Sequence, residues 1–179
     1  LDIIKTGVEE ARVVNYYSKL AGLLSGYPDL ILKLATGASM QLRKTGDEKL
    51  KSRFLLEFAR IITYLDDEIK KRQFFEGFVY EAKNLEDEHI RYRTLPELAQ
   101  IFSGIDPERS EDIMKEALAE LKDTGMAPVE RFRLEAHIAG QIARLGKTEW
   151  ATDLFVNLIE VSSQLMLAND KADVFAEIS

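Results

Sequence analysis

The chain has 179 residues, 46% of them hydrophobic and 31% charged, which is enough apolar material for one globular unit with a sizeable core. Acidic residues outnumber basic ones by 31 to 24, and the net charge of -7 disfavours binding to phosphate backbones. The absence of cysteine excludes disulfides and thiolate metal sites. No apolar run approaches the roughly 18 residues that a membrane span needs. We therefore expect a cytoplasmic protein without nucleic-acid or membrane partners.

A short motif recurs along the chain: a bulky apolar residue, then alanine, then in most copies another apolar residue three positions later. The copies are Leu20-Ala21 with Leu24, Phe58-Ala59 with Ile62, Leu98-Ala99 with Phe102, Ile138-Ala139 with Ile142, and Phe175-Ala176. Successive alanines are 38, 40, 40 and 37 residues apart. A period near forty is typical of stacked helical hairpins.

Between the turn signals, apolar residues recur at the three- and four-residue spacing of helices. We predict an all-α fold, an αα-superhelix (solenoid) of about four helical hairpins plus a C-terminal capping or truncated helix. The predicted repeats of this single domain are 8–44, 48–83, 87–122 and 128–167, with a partial repeat at 170–179. Because the sequence begins with Leu1 and not with methionine, we expect it to be part of a longer chain.

Turn residues divide the hairpins into helices. The predicted helices are 8–24 and 28–44 in the first hairpin, 48–65 and 67–83 in the second, about 107–122 in the third, and 128–145 and 147–167 in the fourth. Asp47, Asp67 and Asp106 stand at helix starts, where their side chains accept hydrogen bonds from free backbone N–H groups.

The third hairpin is irregular because Pro96 falls inside its expected first helix. An interior proline removes one backbone hydrogen bond and clashes with the preceding turn. Thr94-Leu95-Pro96-Glu97 has instead the pattern of a capping box with proline in the first turn. We therefore expect this helix either to begin late, near residue 95, or to be kinked there.

The fourth hairpin resembles the tetratricopeptide family. The family's pattern of small and large residues is matched by Ile138-Ala139, Ile142, Gly146, Ala151 and Phe155. The sequence departs from the family where Glu135 replaces its early tryptophan, and where Leu158 and Ser163 replace its late alanine and proline. The resemblance implies a curved superhelix whose first helices line a concave groove that holds a peptide or a partner helix.

A basic residue lies near the start of each predicted first helix: Arg12, Arg53, Arg91, Arg131 and Lys171. Aligned on the concave side, these cations would form a row suited to binding acidic groups. In the alternative, each one pairs with a carboxylate of its own or a neighbouring repeat, such as Glu57 or Glu135. The residues that we predict to bind a partner are Arg12, Tyr16, Tyr17, Arg53 and Arg131.

Aromatic residues on the same helices, such as Phe54, Phe58, Tyr92 and Phe132, are expected to pack in the core. The alternative is that one or two of the tyrosines present a flat surface to a ligand. A second helix carries a denser group, Phe74, Phe75, Phe78 and Tyr80. We interpret that group as core between layers or, alternatively, as a docking patch on the convex side.

No motif in the sequence points to catalysis or to a cofactor. The chain has no cysteine nucleophile, no Gly-x-Ser-x-Gly and no phosphate-binding glycine loop. His89 and His137 lack the i, i+4 spacing of a helical zinc site, so we predict no metal. We predict a non-catalytic protein–protein interaction scaffold that binds a peptide or partner helix in its groove. The first alternative is a regulatory or structural domain that self-assembles through its ends, and the second is the helical domain of an enzyme.

Overall fold

The computed structural model describes residues 23, 27, 29–33, 36–37 and 46–163. Six helices occupy residues 46–163: α1 Glu48–Ile62, α2 Glu68–Lys83, α3 Glu88–Phe102, α4 Pro107–Lys122, α5 Pro128–Arg144 and α6 Thr148–Ser163. Residues 29–33 and 36–37 are also helical, and the described residues contain no strand. The predicted all-α class is confirmed for this part of the chain. The predicted helix 8–24 and the partial repeat 170–179 lie almost wholly outside it.

Aspartates begin the first four of these helices. Asp47, Asp67, Asp87 and Asp106 each accept a hydrogen bond at 3.0–3.1 Å from the backbone N–H three residues later. Each bond satisfies one of the N–H groups that the first turn of a helix leaves without a partner. The predicted roles of Asp47, Asp67 and Asp106 at helix starts are confirmed, whereas α5 begins at Pro128 after a residue with no capping side chain.

The odd-numbered helices carry the alanine motif into the core. Helices α1, α3 and α5 begin at residues 48, 88 and 128, forty residues apart, and α3 contacts both α1 and α5. The nine motif residues in these helices are all fully buried: Phe58, Ala59, Ile62, Leu98, Ala99, Phe102, Ile138, Ala139 and Ile142. A small side chain beside a large one lets two helix backbones approach while the larger residue fills the space between them. Ala21 and Ala176 lie outside the described residues.

The even-numbered helices α2 and α4 each contact α3 and are joined to each other by charged side chains. Arg109 on α4 donates from Nε to Glu76 Oε1 at 2.9 Å and from Nη1 to Glu116 Oε1 at 3.0 Å. Lys83 on α2 donates to Glu116 Oε2 at 2.6 Å, and this hydrogen bond lowers the pKa of Glu116. Apolar burial therefore joins the odd helices, while long ionic side chains span between α2 and α4.

Of the two alternatives predicted for the third hairpin's first helix, the late start near residue 95 is wrong. Helix α3 begins at Glu88 behind the Asp87 cap and continues through Pro96. The hydroxyl of Thr94 caps nothing and donates instead to the Ile90 carbonyl at 2.6 Å. An interior proline costs about 3 kcal/mol. Buried residues on both sides of the proline offset that cost, and they include Tyr92, Leu95, Leu98 and Phe102.

Thr94 also links α3 to α1. Its Oγ1 lies 2.6 Å from Ser52 Oγ, and because the Thr94 proton is directed at Ile90, Ser52 is the donor. Thr94 is only 1% exposed. We expect Thr94→Val, which keeps the shape and removes the hydroxyl, to lower the free energy of unfolding by about 1–2 kcal/mol.

Urea unfolding of Thr94→Val, Ser52→Ala and the double variant tests this contact. The double variant should cost less than the sum of the two single variants, because both remove the same hydrogen bond. Strictly additive effects would mean that the two hydroxyls do not interact.

Candidate partner-binding surface

The two predicted partner-binding arginines that the structure describes do not share one register. Arg53 is the sixth residue of α1, whereas Arg131 is the fourth residue of α5. Two residues correspond to about 200° around a helix, so the side chains leave opposite sides of their helices. The structure therefore does not bring Arg53 and Arg131 to one face. Arg12, Tyr16 and Tyr17 lie outside the described residues.

Two rows of cations exist in place of the single predicted row. Both rows repeat every forty residues along α1, α3 and α5. One row is Lys51, Arg91 and Arg131, and the other is Arg53, Arg93 and Arg133. The sequence alone does not separate the two rows, because the intervals of 41 residues from Arg12 to Arg53 and of 38 from Arg53 to Arg91 are close to forty. The helix starts are needed to tell them apart.

In the first row, the two arginines have partners on their own helices. The Arg131 guanidinium lies over the Phe132 ring at 5.4 Å, and its Nε is 3.7 Å from Glu135 Oε1. Arg91 pairs with Glu88 Oε1 at 3.2 Å. For these two residues the partner carboxylate lies on the same helix, as in the predicted alternative to a row that binds a partner.

Arg131 lines a cavity of about 260 Å³ between α4, α5 and α6, together with Lys122, Glu135 and several apolar side chains. Burial raises the pKa of Glu135, and the nearby cations Arg131 and Lys122 act in the opposite direction. Because the folded-state pKa is raised, the protonated form favours the folded state, and this contribution is lost as the pH rises through the folded-state pKa.

We therefore expect Glu135→Gln to stabilise the protein at pH 7, because glutamine avoids burying a charge. The gain should shrink as the pH falls towards the ordinary pKa of glutamate, about 4.3. Urea unfolding at pH 7 and pH 4 measures both values. Glu149→Gln, at an exposed position of α6, is the matched control and should change stability by no more than about 0.5 kcal/mol. A variant less stable than the wild type at pH 7 would show that the pairing with Arg131 outweighs the cost of burial.

Two members of the second row, Arg93 and Arg133, line a different cavity of about 380 Å³, which we call the odd-helix cavity. Its lining combines residues at the N-terminal ends of α1, α3 and α5 with the Asp87 cap: Lys49, Asp87, His89, Ile90, Arg93, Glu130, Arg133 and Leu134. Arg93 and Arg133 thus line one cavity from adjacent helices, and Lys49 extends the same lining to α1. The lining of this cavity therefore includes one cation from each of the three odd helices.

Both histidines of the chain bridge α3 and α5. His89 Nε2 on α3 lies 3.6 Å from Glu130 Oε2 on α5, and His137 Nε2 on α5 lies 3.7 Å from Glu97 Oε1 on α3. Burial lowers the pKa of His137, although Glu97 acts to raise it. The sequence did not indicate these pairs because each partner is forty or forty-one residues away. No group of three or more candidate metal ligands occurs among the described residues.

Most of the aromatic side chains singled out from the sequence lie in the core. Phe54, Phe58, Tyr92 and Phe132 are all buried, which confirms their predicted role in the core. In the aromatic group on α2, Phe75 and Phe78 are buried and Phe74 is half-buried against the core, whereas Tyr80 is 67% exposed. Most of that group is therefore core and not a docking patch.

Comparison with known proteins adds no family assignment. No family model, no curated protein and no solved structure matches the chain. A search of the described residues for membrane spans finds no helix that combines sufficient length with sufficient apolar character to cross a bilayer.

Proposed function

We propose that the chain is a divergent tetratricopeptide-like αα-superhelix that acts as a non-catalytic protein-interaction scaffold. Support for the superhelix comes from the forty-residue spacing of α1, α3 and α5 and from the equivalent burial of their alanine motifs. The contacts between helices also support the superhelix. Apolar packing joins neighbouring odd helices, while charged side chains bridge α2 and α4. The resemblance to the tetratricopeptide family implies that the odd helices line the concave side of such an array.

The binding surface of this scaffold is the side of α1, α3 and α5 that carries Arg53, Arg93 and Arg133. The single observation behind the proposal is that these three arginines recur every forty residues on three helices of which the middle one, α3, contacts the other two. Arg53 and Arg93 are exposed and Arg133 is half-buried. A cation repeated once per layer matches a segment that crosses the layers in an extended or helical form.

Pulldown from a lysate of the source cell tests this surface. The triple variant Arg53→Glu, Arg93→Glu, Arg133→Glu should lose the proteins that the wild type retains, because reversed charges repel the groups that the arginines bind. The control triple variant is Lys70→Glu, Arg72→Glu, Lys115→Glu, which makes the same change in net charge at exposed positions of α2 and α4.

Circular dichroism and thermal unfolding establish that both variants are folded. The control variant should retain the same proteins as the wild type. If the folded Arg53, Arg93 and Arg133 variant also retains them, the odd-helix face is not the binding surface and the proposal fails.

A further inference from the structure

The odd-helix cavity is a charged depression in which α1, α3 and α5 each supply one cation. Lys49 comes from α1, Arg93 from α3 and Arg133 from α5. Its volume of about 380 Å³ is near the lower limit of small-ligand pockets, about 300 Å³. The cavity therefore has room for one or two side chains of a partner.

The cavity lining also contains two carboxylates, Asp87 and Glu130. Asp87 accepts the hydrogen bond from the Ile90 N–H that begins α3, and Glu130 lies 3.6 Å from His89. Three cations, Lys49, Arg93 and Arg133, face two carboxylates in this lining, so its lysine, arginine and carboxylate side chains carry one net positive charge by formal count. The chain as a whole has a net charge of -7, so the positive lining differs in sign from the protein as a whole.

We infer that the odd-helix cavity binds a carboxylate side chain of an acidic partner segment, held between Lys49, Arg93 and Arg133. One added carboxylate balances the single net charge of the lining. A phosphate dianion would leave excess negative charge beside Asp87 and Glu130, and like charges at such short range are unfavourable. Arginine's planar fork is suited to binding carboxylates with two hydrogen bonds. This inference rests on the proposed function, since it names the partner chemistry of the same face.

Fluorescence anisotropy of a labelled hexaglutamate peptide tests the cavity on the full chain, with hexaglutamine as the neutral control. We expect hexaglutamate to bind, hexaglutamine not to bind, and the affinity for hexaglutamate to fall as salt is added. Arg93→Gln and Arg133→Gln should each weaken binding about threefold to fivefold, and the double variant about tenfold or more.

Lys115→Gln, at an exposed position of α4, removes the same charge elsewhere and should leave the affinity unchanged. Arg93→Lys and Arg133→Lys keep the charge and should retain most of the binding. Thermal unfolding shows directly whether the glutamine variants are folded. Binding by the lysine variants shows that a loss in the glutamine variants comes from the missing charge and not from any change at these positions.

Three results would overturn the inference: no binding of hexaglutamate, equal binding by the Arg93→Gln, Arg133→Gln double variant, or tighter binding of a hexaphosphoserine peptide than of hexaglutamate. The scaffold proposal has a separate test. If pulldown still depends on Arg53, Arg93 and Arg133 while hexaglutamate fails, the face binds a partner of other chemistry and only the carboxylate assignment is lost.

Discussion

Phe102→Ala lowers the free energy of unfolding by about 3–5 kcal/mol, the largest effect that we expect from a single substitution. Phe102 is fully buried at the end of α3, and its ring stacks on Phe75 of α2 with centroids 4.2 Å apart. Alanine would leave a cavity where α3 meets α2 and would remove this aromatic contact. Helix α3 also contacts α1, α4 and α5, so a displacement of α3 would affect the packing of most of the described helices.

Urea or thermal unfolding of the variant gives the value directly. Tyr80→Ala removes a comparable ring from α2, where the side chain is 67% exposed, and should change stability by no more than about 0.5 kcal/mol. A loss below about 1 kcal/mol for Phe102→Ala would show that the site collapses without a cavity.

Ala99→Leu costs about 1–3 kcal/mol for the opposite reason, because it adds volume where the core has none to spare. Ala99 is fully buried in α3, the helix that contacts both α1 and α5, and Ala59 and Ala139 occupy the same position in those two helices. The bulkier side chain would push α3 away from a neighbouring odd helix or distort its own rotamer.

The control for added volume is Ala119→Leu on α4, where the alanine is exposed. It should change the free energy of unfolding by no more than about 0.5 kcal/mol. If Ala99→Leu were equally harmless, close packing of the odd helices would not depend on small residues, and the physical account of the motif would be wrong.

Several features followed from the sequence because they depend on neighbours along the chain. The period of forty is visible in the alanine motif, and α1, α3 and α5 begin forty residues apart. The capping roles of Asp47, Asp67 and Asp106 were predictable because an N-cap acts on backbone only three residues away. The start of α3 was not predictable in this way, since the local cost of Pro96 is outweighed by burial against other helices.

In the candidate site as well, the sequence identified part of the arrangement and the structure was needed for the rest. Sequence inspection identified Arg53 as a candidate, but it grouped Arg53 with Arg131 because their separation approximates two repeats. A displacement of two residues is invisible in a period of forty, yet it turns a side chain to the other side of a helix. Only the helix starts separate Arg53, Arg93 and Arg133 from Lys51, Arg91 and Arg131.

By itself, then, the sequence determined the helical class, the spacing of forty residues, several caps and the burial of Phe54, Phe58, Tyr92 and Phe132, since each depends on local spacing and apolarity. The tertiary structure decided the rest: the helical start of α3, the pairing of His89 with Glu130 and of His137 with Glu97, and the cations that meet in the odd-helix cavity. The ion pairs and the cavity join residues on different helices. The physical reason is that contacts between helices depend on how each helix is rotated, and that rotation is set by packing against the neighbouring helices.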